Sequence, residues 1–377
     1  MQEFLPELDY NLSTYIFICL CFAASVQFLY LTLIYSRLAF HKDKSKAKEY
    51  PPVSIIIAAR NESQNLFKNL PFILDQDYPE FEVIIINHQS LDDSQYILDA
   101  YKQQYKNLRV ITVERSKHLK YGKKLPLTIG IKGAAHEHLL FTDADCKPQG
   151  NQWLKSMGGH FTDKHQIVLG YGPYYKSKGM LNRAVRFDTA WIAMSYFSMA
   201  KARMPYMGIG RNMAYTRTAF NNVSGFKSHY SLSSGDDDLF IQEAAKKKNY
   251  TINIDPDSFC FSNPAKSWGQ WTKQKSRHYT TSGKYQVIKK LMLGIYPLSL
   301  LILVISFVTL LLDSNFIWAA LAIFGFILIV KWIILGLAFR KLKESKFIAF
   351  LPLLDIAYAI LTPVMYYAID KTDKNKW

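Results

Sequence analysis

Cysteine is scarce: four residues in 377, Cys19, Cys21, Cys146 and Cys260. Their spacing matches no metal-ligand pattern, so no cysteine-built metal centre is expected. Cys19 and Cys21 fall in an apolar run; the other pair is expected to stay reduced in a cytosolic setting. No helix-turn-helix, zinc-finger or ribonucleoprotein signature is present, which argues against a nucleic-acid partner. Internal repeats and long low-complexity tracts are lacking too. Charge is missing or nearly so from four long stretches. The runs Thr14 to Ser36 and Leu291 to Leu312 carry none. Phe316 to Phe339 carries only Lys331, and Phe347 to Ile369 only Asp355, beside Pro352 and Pro363. Each approaches the roughly 20 apolar residues needed to cross a bilayer.

What is present is apolar and basic: 49% hydrophobic, 15% aromatic, with a formal charge of +16. The first run is too long for the apolar core of a signal peptide, and no Lys or Arg precedes it. Glu3, Glu7 and Asp9 precede it, while Lys42, Lys44, Lys46 and Lys48 follow. The positive-inside rule puts Met1 outside and the central region in the cytoplasm. The Asp313-Ser314-Asn315 loop fits the outer side, and Arg340, Lys341, Lys343 and Lys346 the inner. The tail lysines Lys371, Lys374 and Lys376 fit an outer C-terminus poorly. The fourth run is therefore expected either to span or to re-enter the membrane. The expected organisation is an outer segment 1–13, a span 14–36, a basic linker 37–50 and a cytosolic domain 51–260. An interfacial segment 261–290, membrane helices 291–312, 316–339 and 347–369, and a tail 370–377 complete it. Excess positive charge fits anionic lipid near the membrane and a cytosolic site for a phosphate-bearing substrate.

The central region alternates strand and helix signals. Pro51-Pro52 opens a strand, Val53 to Ala59, followed by Arg60-Asn61-Glu62 and a helical pattern through Leu66, Leu70 and Ile73. A second strand, Phe81 to Ile86, leads to His88-Gln89-Ser90, and a third covers Leu108 to Val113. Tyr121-Gly122-Lys123-Lys124 opens another helix before the run His138 to Phe141. Four alternations with short links predict an α/β, parallel, doubly wound sheet. Ligands bind such sheets at the carboxyl ends of the strands, where Arg60, Glu62, His88, Asp143 and Asp145 fall.

Asp143 and Asp145 are the sharpest signal. A buried strand delivers two carboxylates, two residues apart, into the turn before Pro148. Strand alternation points both the same way, a donor set suited to Mg²⁺ or Mn²⁺. Downstream, an aromatic-rich helix is expected from Tyr175 to Met204. The Gly208-Ile209-Gly210-Arg211-Asn212 turn leads into a strand. Ser233-Ser234-Gly235-Asp236-Asp237-Asp238-Leu239 runs into a helix. The three acids have a dull reading as helix N-terminal charges. Lys123 and Lys124 have one as a solvated pair, and Asp355 one as a helix–helix contact.

Taken in order, these motifs resemble those of family 2 membrane-anchored bacterial glycosyltransferases with the GT-A fold. The resemblance runs from Val53-Ser54-Ile55-Ile56-Ile57 through Ala58-Ala59-Arg60-Asn61-Glu62, Gly122-Lys123 and Thr142-Asp143-Ala144-Asp145. It continues through Gly210-Arg211-Asn212 and Gly235-Asp236-Asp237-Asp238-Leu239 to Gln274-Lys275-Ser276-Arg277-His278. It implies a Rossmann-like nucleotide-diphospho-sugar domain flanked by membrane helices in the cell envelope. It implies that Asp145 binds the metal, with Asp143 on metal or ribose. Arg60 and Glu62 would lie against the nucleoside, Lys123 near base or phosphate, and Asn212, which by itself reads as support for the turn after Gly210, near the acceptor. Asp236 matches the catalytic base, with Asp237 as its rival. Gln274, Arg277 and His278 match the Gln-x-x-Arg-Trp pattern of processive synthases, except that His278 replaces Trp. His88-Gln89-Ser90 likewise replaces the family's acid after the second strand, which leaves the nucleotide open between UDP- and GDP-sugars.

The expected activity is inverting, metal-dependent transfer of a sugar from a nucleotide to a membrane-associated acceptor, lipid or polyprenyl-linked glycan. Two alternatives stand beside it: a small processive exopolysaccharide synthase, and a degenerate membrane-anchored scaffold that only binds sugar nucleotides.

Overall fold

The computed structural model describes residues 11–42, 49–116 and 122–369. Expectations for the N-terminal ten residues, most of the basic linker, Tyr121 and the tail lie outside the described residues. The chain divides into two compact units. One is formed by segments before residue 42 and after residue 285, the other by Lys42–Tyr285.

The first unit contains four helices long and apolar enough to cross a membrane: Leu12–Ala39, Val287–Leu310, Ile317–Lys341 and Ser345–Ala368. The first passes through a π-helical stretch, Tyr30–Tyr35. The two charges of the apolar runs meet here. Lys331 Nζ donates to Asp355 Oδ2 at 2.5 Å, and the Tyr296 hydroxyl donates to the same oxygen at 2.7 Å. Both charged side chains are 1% exposed. An ion at membrane depth is tolerable only when paired, so the interhelical contact accounts for both residues.

The second unit carries a seven-stranded sheet ordered β3-β2-β1-β4-β7-β6-β8. The strands are β1 Val53–Ala59, β2 Phe81–His88, β3 Leu108–Val113, β4 His138–Asp143, β6 Ile167–Leu169, β7 Met213–Thr216 and β8 Tyr250–Ile252. A separate ribbon pairs β5 Cys146–Pro148 with β9 Cys260–Ser262. β1 is buried along its whole length, as a strand covered on both faces must be. Each wholly buried Ile of Ile55-Ile56-Ile57 contributes about 2 kcal/mol of transfer free energy. The helix Lys124–Gly133 lies close on the sheet: a methyl at Gly130 would meet Ile86 Cδ1 at 2.6 Å and Ile56 Cγ2 at 2.7 Å.

The expected parallel arrangement holds for the four strands it was drawn from, and the downstream half departs from it. β1 to β4 are parallel, but β7 runs antiparallel to both β4 and β6. The reversal brings the turn before β7 to the carboxyl end of β4. A parallel β7 would have left it at the opposite edge. The aromatic helix is also shorter than expected, Met180–Lys201.

Candidate active site

The order β3-β2-β1-β4 places a topological switch between β1 and β4, where connections leave the sheet in opposite directions. Ala58 pairs with Asp143 across that line. A cleft of about 860 Å³ opens there. Its walls include Arg60, Asn61, Glu62 and Asn65 after β1, and Asp143 and Asp145 after β4. Lys123, Tyr174, Arg211, Lys266, Gln270, Gln274 and Arg277 also line it.

The loops after β1 and β2 are stapled together. Asn61, at φ +54°, receives Leu91 N on its Oδ1 at 2.7 Å. Asp92 accepts Ser63 N at 2.9 Å and Ser94 Oγ at 2.6 Å. Burial works to raise the Asp92 pKa, but these bonds hold it below its ordinary value. The loop that carries Arg60 and Glu62 is thus fixed before any ligand arrives.

Asp143 ends β4, and Asp145 follows in the turn to β5. Carboxylate oxygens of Asp143 and Asp145 and Cys146 Sγ lie within 4.8 Å of one another. Burial, then the charge of Asp143, raises the Asp145 pKa; Lys123 and Arg211 oppose this. Burial also raises Glu62, with further repulsion from Asp145 and Asp143. Carboxylates crowded in this way form a ready seat for a hard divalent cation, so the donor set fits Mg²⁺ or Mn²⁺.

Lys123 connects this edge to the acids downstream. Its Nζ donates to Asp143 Oδ1 at 2.6 Å. Burial disfavours its charge, but Asp143, Asp236 and Asp145 together keep its pKa above the ordinary lysine value. Arg211 stacks on Tyr174, its guanidinium carbon 4.4 Å from the ring centroid. The Tyr174 hydroxyl accepts from Arg211 Nη1 at 3.1 Å and from Gln274 Nε2 at 2.6 Å. Gln270, Gln274 and Arg277 recur at helical spacing on Trp268–Ser282, so one face of that helix forms a cleft wall.

The three acids at 236–238 have separate surroundings. Asp237 caps the helix Asp238–Ala244: its Oδ1 accepts Asp238 N at 2.8 Å and its Oδ2 accepts Gly210 N at 3.0 Å. Burial, then repulsion from Asp236 and Asp238, pushes its pKa up to about 8. Asp238 accepts from Thr281 Oγ1, the Tyr285 hydroxyl and Leu239 N. Among the described residues, none donates a hydrogen bond to the Asp236 carboxylate. That side chain is 8% exposed, and a methyl on Gly210 would sit 3.4 Å from its Oδ2. The helix-terminal reading fits Asp237 and Asp238, not Asp236.

Three expected ligand contacts move, and the expected base candidates Asp236 and Asp237 also stand outside the cleft lining. His88 is the last residue of β2, wholly buried and outside the cleft wall, because the strand runs two residues further than its apolar run. Asn212 is also wholly buried. Its Oδ1 accepts Trp153 Nε1 at 3.0 Å, and its Nδ2 donates to the carbonyls of Tyr171 and Ser258 at 2.7 Å each. It braces the turn rather than facing a ligand. His278 lies off the cleft wall on an exposed part of its helix. Tyr174, Arg211, Lys266 and Gln270 were missed. Gln270 alone had a local signal, four residues before Gln274; Arg211 stood inside a noted motif, but its direction depends on β7.

This sheet, with its acid pair at the switch and its flanking apolar helices, defines a GT-A-type transferase. Comparison with known proteins agrees. The family description "Glycosyl transferase family 2" matches residues 54–224. "Glycosyl transferase family group 2" matches residues 142–365, more than half the chain. The chain belongs to glycosyltransferase family 2, and it is a hexosyltransferase. It is 26% identical over 236 residues to glycosyltransferase AglE of Haloferax volcanii, covering 60% of this chain and 71% of that protein. It is 23% identical over 259 residues to the probable glycosyltransferase YdaM of Bacillus subtilis, covering 66% of this chain and 59% of that one. Among solved structures, the mannosyltransferase PcManGT of Pyrobaculum calidifontis, in complex with GDP-Man and Mn²⁺, superposes with a TM-score of 0.56. That match has 16% identity and covers 97% of this chain and 100% of the other, a likeness of fold.

Proposed function

We propose that this protein is an inverting, metal-dependent transferase that moves a sugar from a UDP- or GDP-sugar to a membrane-associated acceptor, lipid or polyprenyl-linked. The observation that carries this is the convergence on Lys123: it bonds Asp143 and feels the charges of both Asp145 and Asp236. The donor acids and Asp236, whose carboxylate has no hydrogen-bond donor among the described residues, therefore bear on the same ammonium group.

Asp143 and Asp145 would hold the cation. When bound, it supplies Lewis-acid stabilisation to the leaving diphosphate. Lys123 and Arg277 add fixed positive charge and hydrogen-bond donors for the same phosphates. Arg60 and Glu62 flank the nucleoside. Asp236 accepts the proton of the acceptor hydroxyl while that oxygen attacks the anomeric carbon. A single base, acting opposite the leaving group, gives inversion. Asp237 and Asp238 hold the helix behind it, their oxygens spent on protein donors.

A membrane-delivered acceptor agrees with the four apolar helices and with a charge bias that favours a cytoplasmic catalytic unit. His278 in place of the aromatic residue of the processive pattern favours single transfer over chain growth.

The test uses the purified full-length chain. Calorimetry with UDP- and GDP-sugars, with and without Mn²⁺, should give metal-dependent binding of one nucleotide class, lost in Asp145→Asn. Incubation of labelled donor with membrane lipid extract should give one glycolipid band. A high-mass ladder would assign it as a processive synthase, and binding of neither donor under any condition would end the proposal.

A further inference from the structure

Lys124 has no part in the chemistry above, yet it is among the most constrained cations in the catalytic unit. It is 3% exposed. Its Nζ donates to the backbone carbonyls of His229 at 2.5 Å, Ser234 at 2.7 Å and Leu232 at 3.1 Å. A lysine ammonium has three protons, and these three bonds use them all. Burying such a charge costs several kcal/mol unless it is fully coordinated, so the geometry is a built one.

The three carbonyls belong to the segment that ends two residues before Asp236. Gly235 follows at φ +101°, and a methyl there would strike Leu239 Cδ1 at 2.8 Å, so only glycine makes this turn. On the far side of Asp236 the chain is fixed again. Asp237 caps its helix, and Asp238 is held by Thr281 and Tyr285. Asp236 therefore sits on a short bridge clamped at both ends. The upstream clamp is the neighbour of Lys123, which pairs with Asp143. One dipeptide thus ties the metal-binding edge to the loop of the base.

We propose that Lys124 is a positioning residue: it sets the place of the Asp236 carboxylate relative to the donor site without touching substrate. This rests on the assignment of Asp236 as base. Losing the clamp lets the bridge shift, and a displacement of about 1 Å costs roughly 10²-fold in turnover. Donor binding, which depends on Lys123, Asp143 and Asp145, stays.

The test compares Lys124→Met, Asp236→Asn and their combination in the full-length chain, each checked by thermal melting. Lys124→Met should lower kcat about 10²-fold. Donor KM, and the calorimetric Kd of the nucleotide sugar with Mn²⁺, should stay within about threefold, a small change on the affinity scale. Because both residues act as one unit, the double variant should be no slower than Asp236→Asn alone. Gly235→Ala displaces the same bridge without removing a buried charge. It should show the same split between kcat and KM, and it decides the matter if Lys124→Met does not fold. Retained turnover in Lys124→Met, or in Gly235→Ala where that variant decides, would overturn the proposal. So would parallel loss of donor affinity and kcat, or multiplying losses in the double variant. An active Asp236→Asn enzyme removes the base and its positioning together. An inactive Asp236→Asn beside a fully active Lys124→Met removes the positioning alone.

Discussion

Replacing Asp236 with Asn changes one oxygen for an amide in a side chain that accepts no hydrogen bond from the described residues. No helix cap is lost, since Asp237 supplies it. Repulsion in the acid triplet falls, so the melting temperature should hold or rise slightly. Lys123 keeps its bond to Asp143 at 2.6 Å, so donor affinity should stay within about threefold. What disappears is the proton acceptor. General-base catalysis contributes about 10²–10⁴-fold, or roughly 3–5 kcal/mol of activation free energy. Asp237→Asn keeps a capping oxygen and should lose far less turnover. The assay is the initial rate of transfer from labelled nucleotide sugar to lipid extract at saturating donor, beside a calorimetric donor Kd. An Asp236→Asn enzyme with more than about a tenth of parental kcat would contradict the base assignment, because that lies outside the general-base range. Equal loss of donor binding would move Asp236 into the donor site.

Lys123→Met removes a charged hydrogen bond worth about 1.5–3 kcal/mol, so donor Kd should rise roughly 10–100-fold; calorimetry showing an unchanged Kd would take Lys123 out of the donor site. The Asp237 carboxyl rises from 3.8 to about 8 on folding, so between those values the unfolded chain binds fewer protons than the folded one. That stabilising contribution is complete below the unfolded value and is lost as pH rises towards 8, so Asp237→Asn should raise the melting temperature more at pH 8.5 than at pH 5, near the two ends of that span; an equal shift at both would refute the coupling. In the membrane unit, Lys331→Met alone should cost about 3–5 kcal/mol by stranding Asp355, whereas Lys331→Met with Asp355→Leu should be nearly neutral. Melting in detergent measures both, and equal losses would mean that the pair is not the linking contact.

Much of the cleft was legible because its residues sit where local rules apply. Arg60 and Glu62 follow a continuous apolar strand, and Asp143 and Asp145 follow another; strand ends in such sheets face the ligand. Gln274 and Arg277 share a helix face by spacing alone. His88 was misplaced because a polar residue extended its strand, paired with Val113, where apolar periodicity had stopped. Asn212 carried two readings, turn support and acceptor contact, because a buried amide and a ligand-facing amide look alike in a chain. Only its three partners, from three distant segments, tell them apart.

Composition and pattern alone determined four apolar helices, an α/β core and the acid pair, because apolar run length and strand periodicity are local properties. Tertiary structure decided the direction of β7, which brings Arg211 to the rim, and the partners that separate Asp236 from Asp237 and Asp238. It also decided that Lys123 and Lys124 serve two different loops. Those outcomes depend on contacts between residues up to 110 positions apart, where hydrogen-bond satisfaction in a buried setting, not local preference, selects each side chain's role.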